Sequence, residues 1–367
     1  MNQTARENWS SPLGFTLAAV GSAVGLGNMW RFSYMTAENG GAAFVVLYVA
    51  MTLLVGLPVM LAELTVGRSS RRSPIQALVY FGGSAWKPLG VLFVTAGVVI
   101  LGYYSVIAGW TVRYAVEAIT GGFAEDSAAR FGAIATGTPA VLWHFAFMAV
   151  TAAVVSGGIR SGIERVSLIL MPLLAVLVIG LAIYAATLDG ASAGYAYYLQ
   201  ADFGEIVSFD VLKDAASQAF FSLSLGMGAI LTYASYLSRE HHLPDESLMI
   251  AVADFGVAVV AGLVVFPLLC ALGLEEDVVA STVGALVITL PKAFATMGPA
   301  GQVIGTLFFL ALVVGALTSA ISLLEVVVAS VIDGFGWARN RAAWLSAAAI
   351  ALLGVPSALS QDVLGLM

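Results

Sequence analysis

Apolar runs of about twenty residues, the length a helix needs to cross a bilayer, recur along the whole chain. Splitting the sequence at charged and Pro/Gly-rich breaks predicts nine spans, at about 12–36, 42–67, 88–118, 140–156, 164–187, 213–237, 247–272, 300–332 and 341–358. The stretch 278–297 is apolar but interrupted, and reads as a re-entrant or capping hairpin. Only 10% of the side chains are charged and 60% are hydrophobic, against roughly 25% and 45–50% in a soluble domain. So few charges cannot clothe a water-facing surface. The expected fold class is an all-α polytopic membrane protein, with residues 1–367 as one transmembrane domain.

The same composition excludes other classes. A net charge of −7 without a basic stripe leaves no nucleic-acid partner. Cys270 stands alone and two of the three histidines are the adjacent His241 and His242, so neither a disulfide framework nor a thiol or histidine metal cluster is expected. Residues 1–9 are polar and no cleavage pattern follows the first apolar run, so no signal peptide is expected to be removed.

Orientation follows from the distribution of Lys and Arg. With the N-terminus in the cytoplasm, the inner loops hold Arg6, Arg68, Arg71, Arg72, Lys87, Arg160, Arg165, Arg239, Arg339 and Arg341, ten of the fifteen basic residues. The opposite loops hold Glu125, Asp126, Asp189, Asp202, Glu205, Asp210, Asp214, Glu275, Glu276 and Asp277. The asymmetry predicts an N-inside, multi-pass protein, in which the Asn2-Gln3-Thr4 sequon faces the cytosol and carries no glycan. Nine spans leave Leu366-Met367 outside with no polar tail, so the sequence reads as a chain cut short.

Two spans break their own apolar pattern. The first contains Gly21, Ser22, Gly25, Gly27, Asn28 and Arg31. A Gly-xxx-Gly packing face accounts for Gly21 and Gly25 but not for Gly27-Asn28-Met29-Trp30-Arg31 in the same span. The sixth breaks likewise, over Gln218 to Gly228. Paired interruptions in spans 1 and 6 are what a five-plus-five inverted repeat produces, and unwound backbone at membrane depth is tolerable where it lines a cavity. There half-helix N-termini suit an anion and free carbonyls suit a cation. In span 8, Thr318 and Ser319 follow Gly315; they either back-bond to their own helix or, beside two broken helices, offer oxygens to sodium. Asp254 in span 7 has no basic neighbour in sequence, and a buried carboxylate is a functional candidate by default. Glu63 and Glu325 lie nearer the span ends and read as structural.

These residues resemble the neurotransmitter:sodium symporter family, in particular its bacterial amino-acid transporters. The resemblance rests on Trp9 to Phe15, Ala23 to Phe32, Glu38 to Phe44, Gly157 to Arg165, Phe220 to Tyr236 and Gly315 to Ser322, and it runs from about Arg6 to about Asp362. It implies a first repeat at about 12–187 and a second at about 213–358, the latter incomplete because members usually have eleven or twelve spans. A first sodium would take the Ala23 carbonyl, the Asn28 amide, Ser222, Asp254 and the substrate carboxylate. A second would sit among the carbonyls of Gly21, Val24 and Gly315 and the hydroxyls of Thr318 and Ser319. The substrate carboxylate would meet the Leu26 and Gly27 amides and the Tyr104 hydroxyl, and its ammonium the carbonyls around Ala23, Phe221 and Ser224. Ile100, Phe221, Met227 and Leu323 would line the side-chain pocket, with Ser222 and Ser319 shared between substrate and sodium. Arg6 paired with Asp333 beside Tyr236 would close the cytoplasmic side, and Arg31 with Phe221 the outer one.

The resemblance thus implies a sodium-coupled symporter of a neutral L-amino acid in the bacterial plasma membrane, working by alternating access and not as an enzyme. Its partners would be the amino acid, two sodium ions and the bilayer. Gly25 stands where monoamine-transporting relatives carry Asp, so a zwitterion is expected, and Gly226-Met227-Gly228 favours a large apolar or aromatic side chain. Asp254 would replace the chloride used by many animal relatives, Ala258 standing where some relatives carry Glu. It would return a proton outward once sodium leaves, with Gln218 as its hydrogen-bond partner. Gly162 and Pro172 would let the fifth span unwind, so Gly162→Ala is expected to slow sodium release. The rival readings are a truncated chain that binds without transporting, and a substrate-sensing membrane module.

Overall fold

The computed structural model describes residues 6–201, 204, 208–271, 273 and 285–365. Residues 2–4, Asp202, Glu205, Glu275, Glu276, Asp277, positions 278–284 of the expected hairpin, and Leu366-Met367 lie outside them. The elements are α1 (Pro12–Ala23), α2 (Gly27–Glu38), α3 (Ala42–Ser70), α4 (Pro74–Gly82), α5 (Lys87–Thr120), α6 (Ser127–Ile134), α7 (Gly137–Ser156) and α8 (Ile159–Ala185). They continue with α9 (Ala191–Leu199), α10 (Phe209–Ser222), α11 (Ala229–Ala234), α12 (Leu243–Cys270), α13 (Leu290–Thr296), α14 (Gly298–Phe335), α15 (Arg339–Leu359) and α16 (Gln361–Gly365). Among the described residues the fold is all-α.

Among the described residues, seven helices, α3, α5, α7, α8, α12, α14 and α15, are long and apolar enough to cross a membrane, and the bent pair α1–α2 makes up to eight. The remaining expected span, 213–237, is divided between α10 and α11, of 14 and 6 residues, and neither is long enough by itself. Exposed Leu352, Leu353, Ile169, Val176 and Ile183 sit on spans that also carry buried side chains such as Leu174, Leu181 and Ile350, the pattern of a helix with one face in lipid.

Both breaks have local causes. Ser11 caps α1, its hydroxyl accepting from the Gly14 amide at 3.0 Å, and Pro12 takes the first turn, where a missing N–H costs nothing. The helix stops because Val24 is extended, with φ −75° and ψ 109°, and the chain restarts through a π-helical turn, Gly27–Arg31, after a 50° bend. In the sixth span, Gly226 and Gly228 both have φ +76°, a conformation glycine adopts at no steric cost, and Ser224 is held at φ +55°. The buried Glu63 of α3 supports this turn, its Oε1 accepting from the Gly226 amide at 2.8 Å.

α14 is the central pillar, buried over most of its length against α1, α5 and α8. It ends at Gly336, whose φ of +68° terminates the helix. α8 opens with a π-helical turn, Ile159–Glu164, and carries Pro172 inside. Gly162 in that turn packs directly on the Val154 carbonyl, so a Cβ has no room there. This reverses the expectation for Gly162→Ala. The substitution opposes the wound turn, and it is expected to speed sodium release instead of slowing it.

Candidate functional site

The two breaks meet α5 and α14 around one cavity. Its wall holds Ala23, Leu26, Gly27, Ile100, Tyr104, Phe221, Ser222, Ser224, Met227, Ser319 and Leu323, every substrate residue implied by the resemblance, together with Ser22, Gly25 and Asn28. The cavity leaves about 380 Å³ free of atoms, its open mouth included. The Leu26 amide points to the Tyr104 hydroxyl at 3.4 Å. Gly25 is a close-approach position: a Cβ there would lie 2.5 Å from Ser319 Oγ and 3.1 Å from the Tyr104 hydroxyl.

Behind one end of the cavity, Asn28 and Ser222 of its wall bond to Asp254, which is 0% exposed. Asn28 Nδ2 donates to Asp254 Oδ1 at 2.6 Å, and Ser222 Oγ lies 2.8 Å from each carboxylate oxygen. The Tyr48 hydroxyl donates to Oδ2 at 3.1 Å. These bonds satisfy a carboxylate that is otherwise costly to bury. The Asn28 side-chain oxygen Oδ1, which the resemblance assigns to sodium, accepts from the Gly25 amide at 2.9 Å. Gln218 does not reach Asp254. Its Oε1 accepts from Arg31 and its Nε2 donates to the Gly27 carbonyl at 3.4 Å, because one helical turn before Ser222 the side chain faces α2 and not α12.

The second group of implied sodium ligands gathers where α1 ends against α14. Ser319 Oγ lies 3.4 Å from the Gly21 carbonyl, 3.3 Å from that of Ser22 and 3.4 Å from that of Val24. A hydroxyl has one proton, so Ser319 can bond only one of the three at a time, and the Ser22 carbonyl already accepts from Ser224 at 2.8 Å. Such a ring of hard, uncharged oxygens fits a monovalent cation. Thr318 back-bonds to the Val314 and Gly315 carbonyls, both at 3.1 Å, and the Gly315 backbone packs on Gly25. No cluster of three His, Cys, Asp or Glu side chains occurs among the described residues. A single carboxylate and many neutral oxygens suit sodium better than a divalent ion.

The four residues implied as gates occupy the two ends of the bundle. Arg6 Nη1 lies 2.9 Å from both Asp333 oxygens, its guanidinium stands 4.7 Å from the Tyr236 ring centre, and Ser235 accepts from it at 2.7 Å. Tyr236 donates to Glu325 Oε1 at 2.5 Å, and Arg339 donates to both Glu325 oxygens at 2.8 and 3.0 Å. At the other end Arg31 stacks on Phe221, 5.6 Å to the ring centre, and its Nη2 donates to Ser217 at 3.1 Å.

Tyr48 is the site residue that the sequence reading did not single out, while Ser22 entered it only as part of the first break and Glu63 only as structural. Tyr48 is a lone hydroxyl in an apolar run, which reads equally well as an interfacial aromatic. Ser22 donates to Ser322 at 2.7 Å and lends its carbonyl to Ser224 at 2.8 Å, so it bridges the two halves of the cavity.

The sequence pattern of the Sodium:neurotransmitter symporter family matches residues 6–131 and 135–360. The chain is similar to an uncharacterized sodium-dependent transporter of Methanocaldococcus jannaschii, 36% identical and covering 93% of this chain and 73% of that protein. It is similar to the uncharacterized sodium-dependent transporter YhdH of Bacillus subtilis, 36% identical over 99% of this chain and 81% of that one. Among solved structures it is similar to MhsT in complex with L-phenylalanine, with a TM-score of 0.89 and 44% identity over 97% of this chain and 81% of the other.

Proposed function

The chain belongs to the Sodium:neurotransmitter symporter family, and on that premise we propose that it moves a neutral, hydrophobic or aromatic L-amino acid together with sodium by alternating access. It is a multi-pass membrane protein of a transporter family. We read it as a carrier and not an enzyme, set in a bacterial plasma membrane with the N-terminus inside. The observation that carries the reading is the convergence of both helix breaks on one cavity, with the buried carboxylate of Asp254 bonded directly behind its wall residues Asn28 and Ser222.

In this reading the substrate carboxylate docks at the α2 N-terminus, against the Leu26 and Gly27 amides and Tyr104, where the helix dipole favours negative charge. It completes a first sodium site with Ala23, Asn28, Ser222 and Asp254. The second sodium lies among Gly21, Val24, Gly315, Thr318 and Ser319. The side chain lies against Ile100, Phe221, Met227 and Leu323, and the L-phenylalanine bound to the similar MhsT supports a large apolar group there. Arg6, Asp333 and Tyr236 form the inner gate and Arg31 with Phe221 the outer one, between repeats at about 12–187 and 213–358. Asp254 supplies the negative charge that two sodium ions require, so chloride is dispensable. After release it carries a proton outward, held by Tyr48, Asn28 and Ser222.

No acid stands at position 25 to pair a lone amine, so the substrate must bring its own carboxylate. Competition with a labelled hydrophobic L-amino acid for sodium-dependent binding tests this. Tryptophan and leucine should displace the label, while tryptamine should be weaker than tryptophan by about a hundredfold, the cost of leaving a charge-assisted site unfilled. Equal potency of tryptamine and tryptophan would end the proposal, and alanine binding tighter than tryptophan or leucine would overturn the large-side-chain assignment.

A further inference from the structure

Glu164 is a buried carboxylate to which the transport account gives no task. It closes the π-helical turn Ile159–Glu164 at the start of α8 and is 1% exposed. Its Oε1 accepts from the hydroxyls of Ser10 at 2.6 Å and Ser11 at 2.9 Å, and its Oε2 accepts from the Ser10 amide at 2.8 Å. Ser11 is itself the cap of α1. The positive N-terminal end of α1 is therefore faced by a carboxylate supplied from another helix. Gly14 permits the approach, because a Cβ there would collide with that carboxylate.

The other end of α1 stops at the second sodium position, where the Gly21 and Val24 carbonyls face Ser319. α1 has 12 residues, about 18 Å of helix. It is a short rod fastened at both ends, by Glu164 at one and by α14 with its sodium at the other.

The turn that carries Glu164 is the irregular part of α8. Gly158, just before it, has φ +86°, and its first amide, Ile159, donates to Glu7 at 2.6 Å, outside the helix. Within it Gly162 has no spare room against Val154. We propose that Glu164 is a positioning residue coupling this turn to α1: when the turn unwinds, its carboxylate leaves Ser10 and Ser11, and α1 loses its fastening in the same step. Sodium release frees one end of α1 while unwinding frees the other. The inference rests on the alternating-access reading above.

Hydrogen exchange in the full chain, with sodium and substrate present, tests the coupling. In Glu164→Gln the amides of Gly14 and Phe15 should exchange about tenfold faster, the loss expected when a charged acceptor becomes neutral. Sodium dissociation should also accelerate, while substrate affinity at saturating sodium changes little. The decisive variant is Ser10→Ala with Ser11→Ala, which alters only α1. If the two elements are coupled, the amides of residues 159–164 must loosen as well. A merely local cap would leave those amides unchanged, and that result overturns the proposal. Adding Glu164→Gln to Gly162→Ala should accelerate sodium release no further, whereas additive effects would show two independent elements. Sodium-dependent substrate binding by the unaltered chain in the same preparation reports separately on the transport reading.

Discussion

Replacing Asp254 by Asn is expected to remove sodium-dependent substrate binding in chloride-free buffer. The substitution preserves shape and a polar end, so the contacts with Asn28, Ser222 and Tyr48 have room to re-form. What it removes is the negative charge directly behind the cavity wall, which holds no Asp or Glu among its described residues. At an effective dielectric of about 20, a unit charge about 4 Å from a cation contributes roughly 4 kcal/mol. Some of that returns through the amide dipole, so a loss of about a hundredfold in sodium affinity is the floor. Any activity the variant retains should require chloride, as an external substitute for the missing carboxylate. Wild-type binding should proceed without chloride. A wild type that needs chloride, or an Asp254→Asn variant that binds normally without it, would show that Asp254 does not carry this charge.

Gly25→Ala should be nearly as damaging, through shape alone. The new methyl would sit 2.5 Å from Ser319 Oγ and 3.1 Å from the Tyr104 hydroxyl. Neither neighbour is free to yield. Ser319 belongs to the ring of carbonyls at the end of α1, and Tyr104 is buried in α5 against the Leu26 amide. Overpacking a rigid site typically costs about 1–3 kcal/mol, and here it falls on the substrate and second sodium positions together. Substrate affinity should fall by about a hundredfold, with sodium dependence shifted to higher concentration. Folding should survive, because the cavity beside Gly25 is open. Unaltered substrate and sodium affinities in a folded Gly25→Ala protein would move both sites elsewhere.

Much of this architecture was legible in the sequence, for physical reasons. The breaks at 21–28 and 218–228 stood out because glycine and polar side chains cannot persist in a lipid-facing helix without a cavity to justify them. The cluster around Asp254 was half legible. A carboxylate amid Val and Ala announces itself, but its partner Tyr48 lies more than two hundred residues away in sequence, in a run whose apolar pattern it does not disturb. Gln218 shows the limit of helical spacing. Its place one turn before Ser222 was correct, yet the face it shares with α2 was decided by packing.

The irregular turns were less legible, showing only as the polar break at Gly27–Arg31 and as a point of unwinding at Gly162. The π-helical turns at Thr52–Gly56 and Ile159–Glu164 have the composition of ordinary helix, and only the close approach of neighbouring backbone reveals what Gly162 is for. The connecting helices α4, α6 and α9, of 8 or 9 residues, are too short to register as spans. Glu325 and Glu63 were read as structural from their nearness to span ends. Glu325 joins Tyr236 to Arg339 beneath the Arg6–Asp333 pair, and Glu63 holds the turn of the sixth span. Both therefore lie beside residues that the proposed transport reading sets in motion.

The most direct measurement is uptake of a labelled hydrophobic L-amino acid into proteoliposomes holding the purified chain, in chloride-free buffer, with an inward sodium gradient. The account predicts accumulation above the external concentration that collapses when the sodium gradient is dissipated or sodium is replaced by choline. Accumulation of the same size without sodium, or sodium-dependent binding with no uptake at all, would contradict it.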